Sequence, residues 1–225
     1  MRGMILAAGR GERMGALTDA TPKPLLKIGH HYLIEYAIAQ CQRAGITELV
    51  INLAYHGDQI KAALGDGSRY GVDIAYSFEA ERLETGGGIV NALSLLGDQP
   101  FVVLSSDVVS AYDLNRLPAL RDKLGHLVLV DNPSFHREGD FGLAEGRLSM
   151  TATPKYTFGN ISVLHPILFN GCEPVRFPLR DILIKAITAQ KITGELYQGA
   201  WYNVGNPSQL AEVQILASPD SLATS

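Results

Sequence analysis

The stretch Met4-Ile5-Leu6-Ala7-Ala8-Gly9-Arg10-Gly11-Glu12-Arg13-Met14, followed after a short gap by Thr21-Pro22-Lys23-Pro24-Leu25, decides how this chain is read. Its apolar opening predicts a buried strand that runs directly into two glycines, so the backbone turns sharply with amide N–H groups left free for a ligand. That is the makeup of a phosphate cradle. Arg13 and Lys23 follow, and their fixed positive charge suits an anion far better than it suits a core.

Two familiar glycine motifs do not fit. The dinucleotide fingerprint needs a third glycine where Met14 stands and an acidic residue ending the second strand, where Asn52 follows Leu49-Val50-Ile51. The nucleoside-triphosphatase loop needs a Gly-Lys-Ser/Thr ending, and that tripeptide does not occur. What remains resembles the signature of the sugar-nucleotidyltransferases, Leu-Ala-Ala-Gly-x-Gly-x-Arg-Met/Leu followed by Pro-Lys-Pro/Ala-Leu/Met. Residues 6–14 and 22–25 match it throughout.

Composition fits a single enzyme-sized domain. The chain has 225 residues, of which 46% are hydrophobic, enough for one extended core. A net charge of -4 argues against a dedicated nucleic-acid binder. Cys41 and Cys172 are far apart without metal-ligand spacing, so they are expected as buried thiols in a reducing compartment. The first strand begins at once and no apolar run approaches the ~20 residues that span a bilayer, so the expectation is a cytoplasmic protein with no membrane association.

Strand and helix alternate along most of the chain. Leu33 to Cys41 carries helical spacing closed by Gly45, and Leu49 to Asn52 is a strand. Asp58 to Leu64 is a short helix, and Val72 to Ser77, Phe101 to Ser105 and His126 to Val130 are strands. This order predicts an α/β fold, a Rossmann-like three-layer αβα sandwich with a mainly parallel, mixed central sheet. After Asp131 the pattern changes: residues 140–150 read as hairpin structure laid beside the main sheet and covering the sugar site, and 158–164 as a strand. Leu179 to Ala189 and a segment capped by Asn206-Pro207 through about Leu216 read as helices. Residues 1–217 are expected to form one nucleotidyltransferase domain, with 218–225 a frayed tail.

Two further places carry chemistry. Leu83-Glu84-Thr85-Gly86-Gly87-Gly88 is read as a glycine run opening a helix, with exposed N–H groups at its positive end. Asp107 ends an apolar strand, where an ionised carboxylate is costly unless it meets a cation; capping the next segment is the other reading.

The family resemblance implies roles for these positions. It places Ala7, Ala8, Gly9, Gly11, Arg13, Lys23, Glu79, Thr85 and Gly86 against the nucleotide and Gly87 and Asn160 against the sugar, although a solvated surface position is an equal reading of Glu79. Asp107 and Asn203 become the ligands of Mg²⁺, with Arg13, Lys23 and Asp107 carrying catalysis. Glu84 and Ser106 stand where relatives carry glycine, and Asn203 where many carry aspartate. Lys155 is the nearest substitute for a lysine that relatives use on the acceptor phosphate. The six histidines are read as structural. UTP with N-acetylmuramic acid 1-phosphate is the substrate pair that the resemblance favours. GTP with mannose 1-phosphate, or a nucleotide-binding regulator without catalysis, are the alternatives, and the chain is a monomer or a dimer.

Overall fold

The computed structural model describes residues 1–216; the expected tail at 218–225 lies outside the described residues. The chain opens with β1 (Gly3–Leu6), a glycine-containing loop, and a small two-stranded ribbon of β2 (Lys27–Ile28) and β3 (His31–Tyr32). Helix α1 (Leu33–Arg43), β4 (Glu48–Leu53), α2 (Gly57–Leu64), β5 (Asp73–Phe78) and α3 (Glu84–Leu96) follow. Strand β6 (Phe101–Ser105) leads into β7 (Val108–Ser110), β8 (Gly125–Val130), β9 (Phe141–Ala144), β10 (Arg147–Ser149) and the long β11 (Lys155–Leu164). Helix α4 (Leu179–Thr188), β12 (Ile192–Tyr197), β13 (Trp201–Asn203) and α5 (Pro207–Leu216) complete the order.

Nine strands form one sheet in the order β5-β4-β1-β6-β11-β8-β12-β10-β9. Strand β1 pairs in parallel with β4 and β6, and β12 in parallel with β8, while β11 runs against both β6 and β8. The strand interiors explain the central placement: Met4, Ile5, Val102, Leu104, Leu127 and Val128 are apolar on both faces and almost wholly buried. One core lies between the sheet and α1 with α2, built on Ile34, Ile38, Ile51 and Ile60. Another lies on the opposite face beneath α3 and α4, built on Ile89, Leu96, Phe101 and Leu183. Each fully buried Leu, Ile or Phe adds about 1.5–3 kcal/mol of transfer free energy, so both helical layers are firmly seated. This is the expected α/β sandwich.

Two details differ from the sequence reading. The hairpin of β9 and β10 is hydrogen-bonded into the main sheet through β10–β12 and β9–β11 rather than laid beside it. The glycine run does not precede a helix but lies inside the first turns of α3, which starts at Glu84. Among the described residues no helix is long and apolar enough to cross a membrane.

The carboxyl ends of β1, β4 and β6 come together at one edge, where β1 is flanked by two parallel neighbours. Ligands of open α/β sheets bind outside those ends. A third, smaller cluster of Met14, Ile28, Leu33, Val109, Val204 and Leu210 packs α5 and the β7–β13 ribbon against this edge.

Candidate active site

The glycine loop leaves β1 at Leu6 and is pinned at its first residue: the Ala7 amide donates to Oδ1 of Asn52 at 2.9 Å. Asn52 Nδ2 donates to Oε1 of Glu79 at 2.7 Å, and Oε2 of Glu79 accepts from the Leu83 amide at 2.9 Å. This buried relay fixes the loops after β1, β4 and β5 relative to one another. Beyond it, the amides of Gly9 and Gly11 find no acceptor among the described residues. Gly11 has φ +71°, and a Cβ there would sit 3.0 Å from that of Lys23, so both backbone and space require glycine.

The loop walls a cavity of about 600 Å³, within the range of small-molecule sites, that Ala8, Gly9, Gly11, Arg13 and Lys23 line together with Asn52, Thr85 and Asp107. Lys23 is 9% exposed, and its ammonium pairs with Oδ2 of Asp107. Oδ1 of Asp107 accepts from the Ser105 hydroxyl at 2.6 Å. A cation from the loop after β1 and a carboxylate from the end of β6 thus meet across the site. The Arg13 guanidinium has no hydrogen-bonding or ionic partner among the described residues.

A second cavity of about 280 Å³ adjoins the first, and Leu6 and Thr85 line both. Its wall includes Asn160, Trp201 and Asn203 with the rings of Phe135, Phe141 and Phe158. Asn160 has φ +55° and lies where the β11–β8 register shifts between Phe158 and Ile161, an irregularity that breaks the alternation of side chains along the strand. The Trp201 indole Nε1 donates to the Gly159 carbonyl at 2.9 Å and holds the bulge. The Thr85 hydroxyl accepts from the Leu179 amide at 2.8 Å, which joins the start of α3 to the start of α4 at the boundary between the cavities.

Asp107 lines the first cavity and Asn203 the second. They are joined through the β7–β13 ribbon: Asn203 pairs with Val108, and the Val204 amide donates to the Asp107 carbonyl at 2.8 Å. The Asn203 side-chain amide has no hydrogen-bond partner among the described residues. A carboxylate and an unengaged amide oxygen on adjoining walls are oxygen donors of the kind a hard cation takes. The described residues contain no group of three or more His, Cys, Asp or Glu able to hold a metal by themselves, so a cation here would take its remaining ligands from water and substrate phosphates, as Mg²⁺ does.

Four expected contacts are not on the cavity walls. Ala7 is buried with its amide spent on Asn52, and Glu79 is 7% exposed and saturated by Asn52 and Leu83, so it stands neither in solvent nor at a ligand-facing wall. Gly86 and Gly87 both donate their amides to the Phe177 carbonyl. Their missing side chains make room for protein: a Cβ on Gly86 would fall onto the Phe177 ring, and one on Gly87 onto the Val175 carbonyl. Lys155 also lies off both cavities, on β11 opposite Gly142. The sequence reading missed Asn52, whose signal was a polar residue ending an apolar strand. It also missed His136, Asp140 and Arg180 in the second cavity, having set His136 aside as structural.

A glycine loop at the end of β1, a Lys–Asp pair across the first cavity and an adjoining second cavity make up one continuous candidate site at the carboxyl edge of an α/β sheet. The chain belongs to the nucleotidyl transferase family, whose model matches residues 2–153. It is 43% identical over 227 residues to the N-acetylmuramate alpha-1-phosphate uridylyltransferase of Neisseria meningitidis serogroup B, with 96% of this chain and 98% of that protein covered. Against the mannose-1-phosphate guanyltransferase of Aspergillus oryzae it is 30% identical over 92% of its length, but spans only 61% of that relative. Two solved structures share the fold: HddC from Yersinia pseudotuberculosis in complex with GMP-PN, with TM-score 0.80, 16% identity and coverage of 96% and 98%, and the inositol-1-phosphate CTP transferase of T. maritima, with TM-score 0.78, 16% identity and coverage of 96% and 94%.

Proposed function

We propose that this protein is a uridylyltransferase that joins UTP to N-acetylmuramic acid alpha-1-phosphate, releasing pyrophosphate and forming the UDP-sugar used in peptidoglycan recycling. The observation that carries the reading is the pair of adjoining cavities, with Asp107 facing one and Asn203 facing the other across a shared ribbon. The similarity over nearly the full length of the Neisseria uridylyltransferase supports the substrate pair over that of the guanyltransferases, which the chain matches over three fifths of their length. We take residues 1–217 as one catalytic domain working in the cytoplasm, where UTP is made.

In this reading the acceptor phosphate, already ionised at neutral pH, attacks the α-phosphorus of UTP. The bond to the sugar phosphate oxygen forms as the bond between the α-phosphorus and the bridging oxygen breaks, and the electron pair leaves with pyrophosphate. No strong base is needed. The protein's task is to align two anions that repel each other and to offset charge moving toward the leaving group. The free amides of Gly9 and Gly11, with Arg13 and Lys23, receive the triphosphate, and Lys23 exchanges its carboxylate partner for a phosphate oxygen. Asp107 and Asn203 would hold Mg²⁺, which when bound neutralises charge on the reacting phosphates. Thr85 and Asn160 border the acceptor.

Pyrophosphate release across a matrix of nucleoside triphosphates and sugar 1-phosphates tests the reading. UTP with N-acetylmuramic acid 1-phosphate is expected to give the highest kcat/KM. A preference for GTP with mannose 1-phosphate would replace the substrate assignment, and no release with any pair would leave a binding protein.

A further inference from the structure

The second cavity holds three charged or ionisable side chains that the transfer chemistry does not use. Arg180, in the first turn of α4, donates through Nη1 to Oδ1 of Asp140 at 2.7 Å, and its guanidinium lies over the Phe141 ring, 5.4 Å from the centroid. Oδ2 of Asp140 accepts from the Phe158 amide at 2.9 Å and lies 3.4 Å from Nε2 of His136. Both carboxylate oxygens are thus engaged by protein, and the Asp140 side chain is only 19% exposed. Arg180 is the reverse case. Its Nε and Nη2 make no hydrogen bond with any described residue, and its side chain is 48% exposed.

A surface ion pair that only stapled α4 to β9 would need no place on a cavity wall and would contribute little. Here the carboxylate and the ring fix the guanidinium plane, and the donors left over belong to a group lining the acceptor cavity. The hydroxyls of a neutral sugar are satisfied by neutral groups such as the Asn160 amide. A planar cation with two unspent donors matches a carboxylate. The acceptor named for the Neisseria relative is an acid: N-acetylmuramate carries a lactyl ether ending in a carboxylate that N-acetylglucosamine lacks.

We propose that Arg180, oriented by Asp140 and flanked by His136, receives a carboxylate on the acceptor sugar and makes the second cavity selective for an acidic sugar phosphate over a neutral one. The inference rests on the uridylyltransferase reading. Arg180 acts away from the reacting phosphates, so its contribution falls on acceptor and product binding rather than on the chemical step.

The test separates the two claims. Wild-type protein is first assayed with UTP and N-acetylmuramic acid 1-phosphate; absence of pyrophosphate there defeats the uridylyltransferase reading and this inference with it. Calorimetry then gives the affinities of wild type, Arg180→Gln and Arg180→Lys for UDP-N-acetylmuramic acid and UDP-N-acetylglucosamine. Arg180→Gln is expected to weaken the acidic product about tenfold more than the neutral one, and Arg180→Lys to recover part of that difference. Equal weakening of both products assigns Arg180 to a group they share, such as phosphate, and no weakening of either leaves it a staple. Either result overturns the inference while the uridylyltransferase reading stands. Arg180→Met, which keeps an unbranched side chain of similar length without the charge, supplies the same comparison if the glutamine variant does not fold.

Discussion

Arg13 and Lys23 carry the same charge but stand in different surroundings, and that difference predicts different phenotypes. Arg13 has no partner among the described residues, so Arg13→Ala should leave the fold undisturbed while removing the charge proposed to meet the triphosphate. It should lose about 2–4 kcal/mol of transition-state stabilisation in kcat/KM with an unchanged melting temperature. Lys23 neutralises Asp107, with side-chain exposures of only 11% and 22%. Lys23→Ala should therefore lose both activity and thermal stability, because a half-buried carboxylate is left uncompensated. Steady-state kinetics beside thermal melts distinguish the two, and near wild-type turnover in both would remove them from the site. For the metal, Asp107→Ala should nearly abolish turnover at any Mg²⁺ concentration, whereas Asn203→Ala should be partly rescued by added Mg²⁺ and Asn203→Asp should lower the Mg²⁺ needed. An unchanged metal dependence in Asn203→Ala would exclude it as a ligand. Asp107 was legible because a carboxylate at the end of an apolar strand has few structural uses, and Lys23 because it stands between two prolines in the second half of the loop signature. The Asn52–Glu79 relay and the Arg180–Asp140 pair were not: each is made by two ordinary polar residues far apart in sequence, and only the folded chain brings them together.

Among the elements, α3 shows how a glycine run can mislead. Glycines ahead of a helix read as an anion site, but this helix begins at Glu84, with φ +59° and an ion pair to Arg176 at 2.8 Å. Gly86 and Gly87 are then packing residues that let the segment from Val175 to Phe177 lie against the helix. Gly86→Ala should lower stability by about 1–3 kcal/mol through overpacking against Phe177. Urea unfolding measures this, and a variant as stable as wild type would return Gly86 to the list of ligand contacts. The long strands and amphipathic helices were legible because period and burial agree over enough residues. The β7–β13 ribbon, which carries Asn203 to Asp107, has three residues per strand and offers no period to read.

At the scale of the molecule, the parallel strands around β1 open the first cavity at their carboxyl ends, and the antiparallel β11 with its bulge at Asn160 builds the second cavity beside it. The fold class followed from strand-helix alternation together with one loop. The joining of β10 to β12 did not, because strand pairing across more than 40 residues leaves no local trace. In the proposed reading no side chain serves as nucleophile, and two adjoining cavities let both substrates meet for a single displacement at the α-phosphorus. The most direct measurement is the stereochemical course of the reaction with UTP carrying one sulfur at that phosphorus, of defined configuration, and N-acetylmuramic acid 1-phosphate as acceptor. The account predicts a UDP-sugar thio analogue with inverted configuration at that phosphorus; retention, which requires a covalent enzyme intermediate and two displacements, would contradict it.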